Sequence, residues 1–201
     1  CQDALEATII GGTSDEVLVV GAYNTAARMD EYTHVYDSSE GAGGLGDTYL
    51  DWIESTLLPL VQAQLPRVKV QRETLGILGS SLGGLISCYA GVTRPSVYGK
   101  VGCMSSSFWW DENDFQNVVV PASQPFQPLN HIYMDSGTGS VGETKCTAYT
   151  SNVYDQLVQD KGYVAEEEVF RYVDEGATHS ESYWGPRFHL PLEDLYPSST
   201  V

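Results

Sequence analysis

Short apolar runs recur along the chain and alternate with longer segments whose apolar residues fall at helical spacing. The runs are 17–22 (VLVVGA), 75–78 (LGIL), 101–104 (VGCM), 131–134 (HIYM) and 169–173 (VFRYV). Several of them are apolar throughout, as expected for strands that are covered on both faces. The alternation predicts an α/β fold, with a mostly parallel sheet flanked by helices.

The helical segments lie between these runs. Residues 48–60 (TYLDWIESTLLPL) place Leu50, Ile53, Leu57 and Leu60 on one face, and residues 82–90 and 147–161 predict the next two helices. Residues 117–130 contain three prolines and predict a surface connection. A chain of 201 residues suits one α/β core, so we expect a single domain over 1–201.

Charge narrows the range of partners. The chain has 27 acidic and 10 basic side chains, for a formal net charge of −17. Such a field repels phosphate backbones and anionic lipids, which excludes nucleic acid and membrane surfaces as favoured partners. No window approaches the roughly 18 uninterrupted apolar residues of a membrane span.

The four cysteines are Cys1, Cys88, Cys103 and Cys146. They form no Cys-x-x-Cys pair, so the sequence does not support a zinc or thioredoxin-type site. The even count allows one or two disulfides and favours a secreted or periplasmic location, with the cytoplasm as the alternative.

The segment GILGSSLGGL, residues 76–85, carries the clearest chemical signal. Gly79 to Gly83 fits G-x-S-x-G between a predicted strand and a predicted helix, which is the order of a nucleophile elbow. Glycine at both ends suits the close approach of strand and helix. Ser81 is then the candidate nucleophile, and the backbone N–H of Leu82 at the helix start can stabilise an oxyanion. The alternative is a capped turn without catalytic function.

A serine nucleophile needs a general base that is oriented by an acid. His179 follows the last predicted strand at the same sheet edge as Ser81, and it is the candidate base. His189 is its rival, although its apolar neighbours favour a packing role. The loop after residues 131–134 offers two acids, Asp135 and Glu143, between which the residues alone do not decide.

Three blocks of sequence resemble one family. They are VLVVGAYNTAARMDEYT (17–33), LGILGSSLGGLISCYAGVTRPSVYGKVGCMSSSFWWD (75–111) and YVDEGATHSESYW (172–184). Together they resemble the "Putative esterase" family of α/β-hydrolases, which includes feruloyl and acetylxylan esterases, siderophore esterases and mycolyltransferases. The resemblance implies Ser81 as nucleophile and His179 as base, and it favours Glu143 over Asp135 as the acid.

The chain departs from that family at its start. Family members carry an early strand whose following loop supplies one oxyanion N–H, whereas this chain resembles the family only from the next helix onward. The resemblance therefore implies an α/β-hydrolase fold without the N-terminal strands, either a natural minimal version or a domain with a part missing. Only the Leu82 N–H is assigned to the oxyanion hole.

Aromatic residues near these blocks are candidates for substrate binding. Trp109 and Trp110 follow the strand after the elbow helix, and Trp184 follows His179. Aromatic faces suit sugar rings or aryl acyl groups, although Trp110 suits the core equally well. Arg28 is a candidate contact for an acyl carboxylate, and an ion pair with a neighbouring acid, Asp30 or Glu31, is the favoured alternative.

The combined prediction is a serine carboxylic-ester hydrolase that forms an acyl-enzyme with short-chain, aryl or carbohydrate-linked acyl esters. It needs no metal or organic cofactor, and a homodimer that covers a truncated sheet edge is a further expectation. The alternatives are an acyltransferase of the mycolyl type and a catalytically degenerate binding module, with a peptidase less favoured.

Overall fold

The computed structural model describes residues 2–124 and 131–199, and its centre is a four-stranded parallel sheet. The strand order is β3-β4-β5-β6, so each strand lies beside the next one along the chain. These strands are β3 (Gly76–Ser80), β4 (Lys100–Met104), β5 (His131–Gly137) and β6 (Val169–Asp174), and an antiparallel ribbon pairs β1 (Tyr36–Asp37) with β2 (Ala42–Gly43).

Helices cover both faces of the sheet. They are α1 (Gln2–Gly11), α2 (Arg28–Glu31), α3 (Gly46–Trp52), α4 (Leu58–Gln64), α5 (Leu82–Thr93), α6 (Trp110–Asp114), α7 (Val120–Ala122), α8 (Val141–Lys161), α9 (Glu181–Arg187) and α10 (His189–Leu195). Two π-helical turns, Ile53–Leu57 and Phe115–Val119, join α3 to α4 and α6 to α7.

The alternation of side chains along β5 explains why the strands are apolar throughout. Ile132 and Met134 pack into one core with α5 and α8, whereas Tyr133 between them packs into a second core with α9 and α10. Because successive side chains of a strand point to opposite faces, a strand between two helical layers needs apolar residues at every position.

The α/β fold and four of the five predicted strands are confirmed. The prediction for residues 17–22 is wrong, since this segment forms no strand and Leu18, Val19 and Val20 are 49%, 48% and 45% exposed. The surface connection predicted for 117–130 is helical from 117 to 122, and its residues 125–130 lie outside the described part of the chain. The single-domain organisation and the homodimer stay predictions.

The helix α8 begins six residues before its predicted start at 147. Ser140 caps it, because its hydroxyl accepts a hydrogen bond from the backbone N–H of Glu143 at 3.2 Å. Gly162, with φ of 81°, ends it in the left-handed conformation. The early start places Glu143 in the first turn of the helix instead of in a loop.

Candidate active site

The candidate site lies at the carboxyl ends of the four parallel strands. Ser81 follows β3, Ser105 follows β4 and His179 follows β6. Glu143 lies in the first turn of α8, the helix that follows β5. Parallel strands end at the same edge of a sheet, so residues far apart in the chain meet there.

The backbone at Ser81 forms a sharp turn between β3 and α5. Ser81 has φ 60° and ψ −124°, a conformation that costs a non-glycine residue about 1–3 kcal/mol and that concentrates at functional sites. Three backbone hydrogen bonds hold it. The Ser81 N–H donates to the carbonyl of Met104 at 3.0 Å, and the carbonyl of Ser81 accepts from the N–H groups of Ser107 at 3.1 Å and Leu85 at 3.0 Å.

Glycine is required at two positions of this turn, and one of them differs from the expectation. A Cβ at Gly79 would lie 2.5 Å from the carbonyl oxygen of Gly83, so the predicted need for glycine there agrees with the structure. A Cβ at Gly83 would meet nothing within 4 Å, whereas a Cβ at Gly84 would lie 2.4 Å from the Ser106 hydroxyl. The second position without room is therefore Gly84, because α5 packs there against the end of β4.

Three side chains form a hydrogen-bonded relay. His179 Nε2 lies 2.9 Å from Ser81 Oγ, and His179 Nδ1 lies 2.6 Å from Glu143 Oε2. An ionised carboxylate only accepts hydrogen bonds, so Nδ1 carries the proton and Nε2 is free to accept from the Ser81 hydroxyl. The structure thus brings together the predicted nucleophile, base and acid, whose catalytic roles stay predictions.

The carboxylate of Glu143 is fully buried and held on both oxygens. Oε1 accepts hydrogen bonds from the Ser105 hydroxyl and from the Gly137 N–H, the latter at 2.8 Å, and this leaves Oε2 for His179. Burial alone would raise the pKa of Glu143, but the hydrogen bonds from His179 and Ser105 outweigh it and hold this pKa below its ordinary value. Glu143 therefore stays ionised beside the histidine.

Asp135, the alternative acid, has a different set of partners. Its carboxylate is fully buried and pairs with Arg187 through two hydrogen bonds, of 2.8 Å from Nη2 and 3.1 Å from Nε. It also accepts from the Tyr133 hydroxyl and the Ser105 N–H, both at 3.1 Å. With its oxygens occupied in this way, Asp135 neutralises a buried arginine, and Glu143 is the carboxylate that contacts the histidine.

Ser105 joins the two carboxylates to the rest of the site. Its hydroxyl donates to Glu143 and accepts from Trp184 Nε1 at 3.0 Å and from Arg187 Nη2 at 2.7 Å. Arg187 also reaches Asp174, at the end of β6, at 3.3 Å. One buried hydroxyl and one buried guanidinium thus fix the orientation of the acid.

Sequence reasoning missed Ser105 and Arg187. Ser105 directly follows a strand whose end lies at the site edge, which is a signal that could have found it. The pattern S-V-G-E from Ser140 to Glu143 is a capping-box spacing and would have placed Glu143 on a helix. Arg187 gives no local signal, because it lies 52 residues from the aspartate it neutralises.

The Leu82 N–H is available at the start of α5. Leu82 is the first residue of that helix, so its N–H has no intrahelical acceptor. This N–H lies directly after Ser81, at the positive end of the helix dipole. This position suits an oxyanion donor. The Ser107 hydroxyl, 3.3 Å from Ser81 Oγ, is a further polar group beside the candidate nucleophile.

The aromatic candidates divide into one exposed residue and two buried ones. Trp109 is 38% exposed and is the only one of them open to solvent. The expectation that Trp110 contacts substrate is wrong here, because it is 1% exposed and its Nε1 donates to the Val35 carbonyl at 2.9 Å. Trp184 is buried, and its ring meets the His179 ring edge to face, with 4.8 Å between centroids, so it supports the histidine and offers no open platform.

Arg28 lies outside the relay. Its guanidinium lies 5.4 Å from the centroid of the Tyr32 ring, and within the described residues it forms no ion pair. The expected pairing with Asp30 or Glu31 is wrong, because Asp30 accepts from the Gly43 N–H and Glu31 accepts from Thr25. Its proposed contact with an acyl carboxylate stays a prediction.

The remaining predictions concern the rival histidine, the cysteines and the membrane. His189 Nδ1 contacts the carbonyl of Pro186 at 2.9 Å, while His179 holds the place beside Ser81. Cys88, Cys103 and Cys146 are free thiols, so no disulfide joins them, and Cys1 lies outside the described residues. In the described ranges, no helix has the length and apolar character needed to cross a bilayer.

A serine at a strand-to-helix elbow, a histidine after the last strand and a buried carboxylate between them define the α/β-hydrolase class. The chain belongs to the "Putative esterase" family, whose family model matches residues 1–195.

Two curated relatives and one solved structure illustrate the likeness. The uncharacterized protein YbbA of Bacillus subtilis is 30% identical over 179 residues, covering 84% of this chain and 69% of that protein. The siderophore triacetylfusarinine C esterase of Aspergillus fumigatus is 42% identical over 71 residues, covering 35% of this chain and 23% of that protein.

The solved structure is the enterobactin esterase of Shigella flexneri, crystallised in the presence of 2,3-di-hydroxy-N-benzoyl-glycine. It superposes with a TM-score of 0.72 at 21% identity, over 95% of this chain and 47% of that one. The likeness shows a shared fold, and this chain spans about half the length of that enzyme.

Proposed function

We propose that this chain is a serine carboxylic-ester hydrolase that works through an acyl-enzyme. The observation that carries the proposal is the relay from Ser81 Oγ to His179 Nε2 at 2.9 Å and from His179 Nδ1 to Glu143 Oε2 at 2.6 Å. A hydroxyl is a weak nucleophile near neutral pH, and a histidine held in the accepting tautomer is the means of activating it.

The reaction follows from these positions. Ser81 Oγ attacks the ester carbonyl as His179 Nε2 takes its proton, and the Leu82 N–H stabilises the negative charge on the carbonyl oxygen. His179 then gives the proton to the departing alcohol, which leaves the acyl group on Ser81. Water, activated by the same histidine, attacks the acyl-enzyme and releases the acid. Glu143 stabilises the charged imidazole in both halves of the reaction.

The substrate is a small-molecule ester. Two of the similar proteins are named as esterases of siderophores, triacetylfusarinine C and enterobactin, and this supports siderophore esters as the first natural substrates to test. Trp109 is exposed and lies two residues after Ser107, whose hydroxyl is 3.3 Å from Ser81 Oγ, so it is a suitable contact for a ring in the acyl group.

The test is hydrolysis of p-nitrophenyl acyl esters, methyl ferulate and the two siderophores by the wild type and by Ser81→Ala. Turnover should fall by on the order of 10⁴ or more in Ser81→Ala, because the covalent step is lost. Ser80→Ala is the matched control, since the neighbouring serine lies on β3 and should leave turnover within about threefold of the wild type.

A fluorophosphonate probe gives an independent readout. It should label the wild type and Ser80→Ala on Ser81 and leave Ser81→Ala unlabelled. Turnover that survives in Ser81→Ala refutes the mechanism, and a folded wild type with neither turnover nor labelling supports the binding-module alternative. Release of acyl groups to an added sugar in preference to water would instead identify an acyltransferase.

A further inference from the structure

The helix α8 carries a thiol that the proposed reaction does not use. Cys146 lies three residues after Glu143, one turn along the same helix, so the two side chains are neighbours on one helix face. Cys146 is 3% exposed. Burial, and next the negative charge of Glu143, raise the pKa of its thiol to about 12, so at neutral pH it is a protonated and unreactive group.

Glu143, Cys146 and His179 present three ligand atoms to one another. One carboxylate oxygen, the Cys146 Sγ and one imidazole nitrogen lie within 4.8 Å of each other. A carboxylate, a thiol and an imidazole are the three ligand types that Zn²⁺ accepts, at about 2.0–2.3 Å each. Three protein ligands with a fourth, open position is the composition of an exchangeable zinc site rather than of a closed structural one.

From these contacts we propose that the site binds a thiophilic divalent cation such as Zn²⁺ through Glu143, Cys146 and His179 Nδ1, and that the bound cation switches off the hydrolase. The part concerning inhibition rests on the proposed function, whereas binding of the cation does not.

The choice of Nδ1 follows from the position of α8. Glu143 approaches the imidazole on its Nδ1 side and Ser81 on its Nε2 side, and Cys146 shares the helix with Glu143. The cation would replace the proton between Nδ1 and Oε2, which are 2.6 Å apart. Tetrahedral zinc keeps such ligands about 3.3 Å apart, so the two atoms need to move apart by less than about 1 Å to make room for it.

The surroundings favour this exchange. The Ser105 hydroxyl and the Gly137 N–H hold Oε1 of Glu143, so Oε2 can turn to a cation without leaving the other oxygen unpaired. The side chain of His179 is 31% exposed and provides the path of entry, because the other two ligands are buried. On binding, the Cys146 S–H bond breaks and its proton passes to solvent, while the single proton of the neutral imidazole leaves Nδ1 and is taken up on Nε2.

The consequence for catalysis is a change of tautomer. A neutral imidazole that binds a metal through Nδ1 carries its one proton on Nε2. That nitrogen then donates to Ser81 Oγ and cannot accept the serine proton, so the nucleophile loses its base. Inhibition should therefore appear as a fall in kcat and should be reversed by a chelator.

The experiment compares wild-type protein with Cys146→Ala and Cys146→Ser, free of thiol reductants. Co²⁺ is added first as a spectroscopic probe, since a thiolate bound to Co²⁺ gives a charge-transfer band in the near ultraviolet. The wild type should show this band at one equivalent, and both variants should lack it. Cys88→Ala is the matched control, a second buried thiol of the core, and it should keep the band.

Zn²⁺ inhibition of ester hydrolysis is measured in the same four proteins. The Zn²⁺ concentration for half inhibition should rise by at least about 10- to 100-fold in both Cys146 variants. A loss of metal affinity of this size already follows when only a residue that hydrogen-bonds to a metal ligand is replaced, and here a ligand itself is removed. Without Zn²⁺ these variants should hydrolyse esters as the wild type does, because the thiol takes no part in the reaction.

Equal inhibition of wild type and Cys146 variants, or no Co²⁺ band in the wild type, overturns the proposal. A wild type that shows the band and has no esterase activity leaves the cation site standing and refutes the proposed function instead. The second variant, Cys146→Ser, keeps the side-chain size and so supplies the comparison if Cys146→Ala is unstable.

Discussion

The two buried carboxylates of the site should respond in opposite ways to loss of their charge. Glu143→Gln and Asp135→Asn each replace one carboxylate oxygen by an NH₂ group and leave the size of the side chain nearly unchanged. If Glu143 orients the histidine and Asp135 neutralises Arg187, the first variant loses catalysis and the second loses stability.

The hydrogen bonds determine how the amide of Glu143→Gln is oriented. Two donors, the Ser105 hydroxyl and the Gly137 N–H, face the position of Oε1, so the amide oxygen takes that place and the NH₂ group faces His179 Nδ1. A donor there requires Nδ1 to accept, which moves the imidazole proton to Nε2, opposite Ser81. A wrong tautomer of this kind costs on the order of 10⁴ in kcat, with little change in KM.

Asp135→Asn leaves the relay intact, so kcat of the folded protein should stay within about tenfold of the wild type. Its amide meets a donor of Arg187 whichever way it is placed, and the arginine loses its bidentate partner. Removing one partner of a buried ion pair costs about 3–5 kcal/mol. With a urea slope of about 2–3 kcal/mol per M, the unfolding midpoint should fall by roughly 1–2.5 M.

The assay is saturation kinetics with a p-nitrophenyl ester, combined with urea unfolding followed by tryptophan fluorescence. The Asp135→Asn kinetics are measured well below its own midpoint, where the protein is folded. A variant Asp135→Asn with normal stability and a 10⁴-fold loss of kcat, or a Glu143→Gln with wild-type kcat, would refute the assignment of the two acids.

Three further predictions follow from single contacts. Gly84→Ala should lower the free energy of unfolding by about 1–3 kcal/mol because its Cβ would lie 2.4 Å from the Ser106 hydroxyl, while Gly83→Ala should be neutral or stabilising; urea midpoints compare the pair, and equal losses would contradict the packing argument. The pKa of Glu143 is lowered from its ordinary value of 4.5, so the ionised carboxylate stabilises the fold above that pH, and this stabilisation is lost as pH falls through the lower, folded-state pKa. The free energy of unfolding should therefore fall less steeply at acid pH in Glu143→Gln than in the wild type, and an equally steep fall in both would contradict this prediction. Trp109→Ala should raise KM for aryl esters by about tenfold with little change in kcat, and unchanged steady-state kinetics would exclude a substrate contact.

The sequence pattern predicts the sheet well because a strand that is buried on both faces needs a continuous run of apolar residues, which is visible locally. The same pattern fails for residues 17–22, which form an apolar run of this kind but no strand. A strand needs a partner for its backbone groups, and the presence of a partner is a tertiary property that no local pattern contains.

The site was predictable in part for the same reason. Ser81 is set by a local turn motif, and His179 by its place after the last strand. The choice between Asp135 and Glu143 depended on Arg187 and Ser105, which reach them from other strands and helices. Distant ion pairs of this kind are fixed by packing, so the residues alone left both acids open.

The relay also has a consequence for the order in which the protein gains activity as it folds. Ser81 and His179 lie 98 residues apart in the chain, and Glu143 and His179 lie 36 apart. Contacts this remote form late, after the loops between them have closed. On the proposed mechanism, Ser81, which directly follows the first strand of this sheet, therefore has no base until the last strand has docked. On that mechanism, a partly folded chain with its elbow already formed would not hydrolyse esters, so ester hydrolysis would report completion of the sheet rather than the formation of its helices.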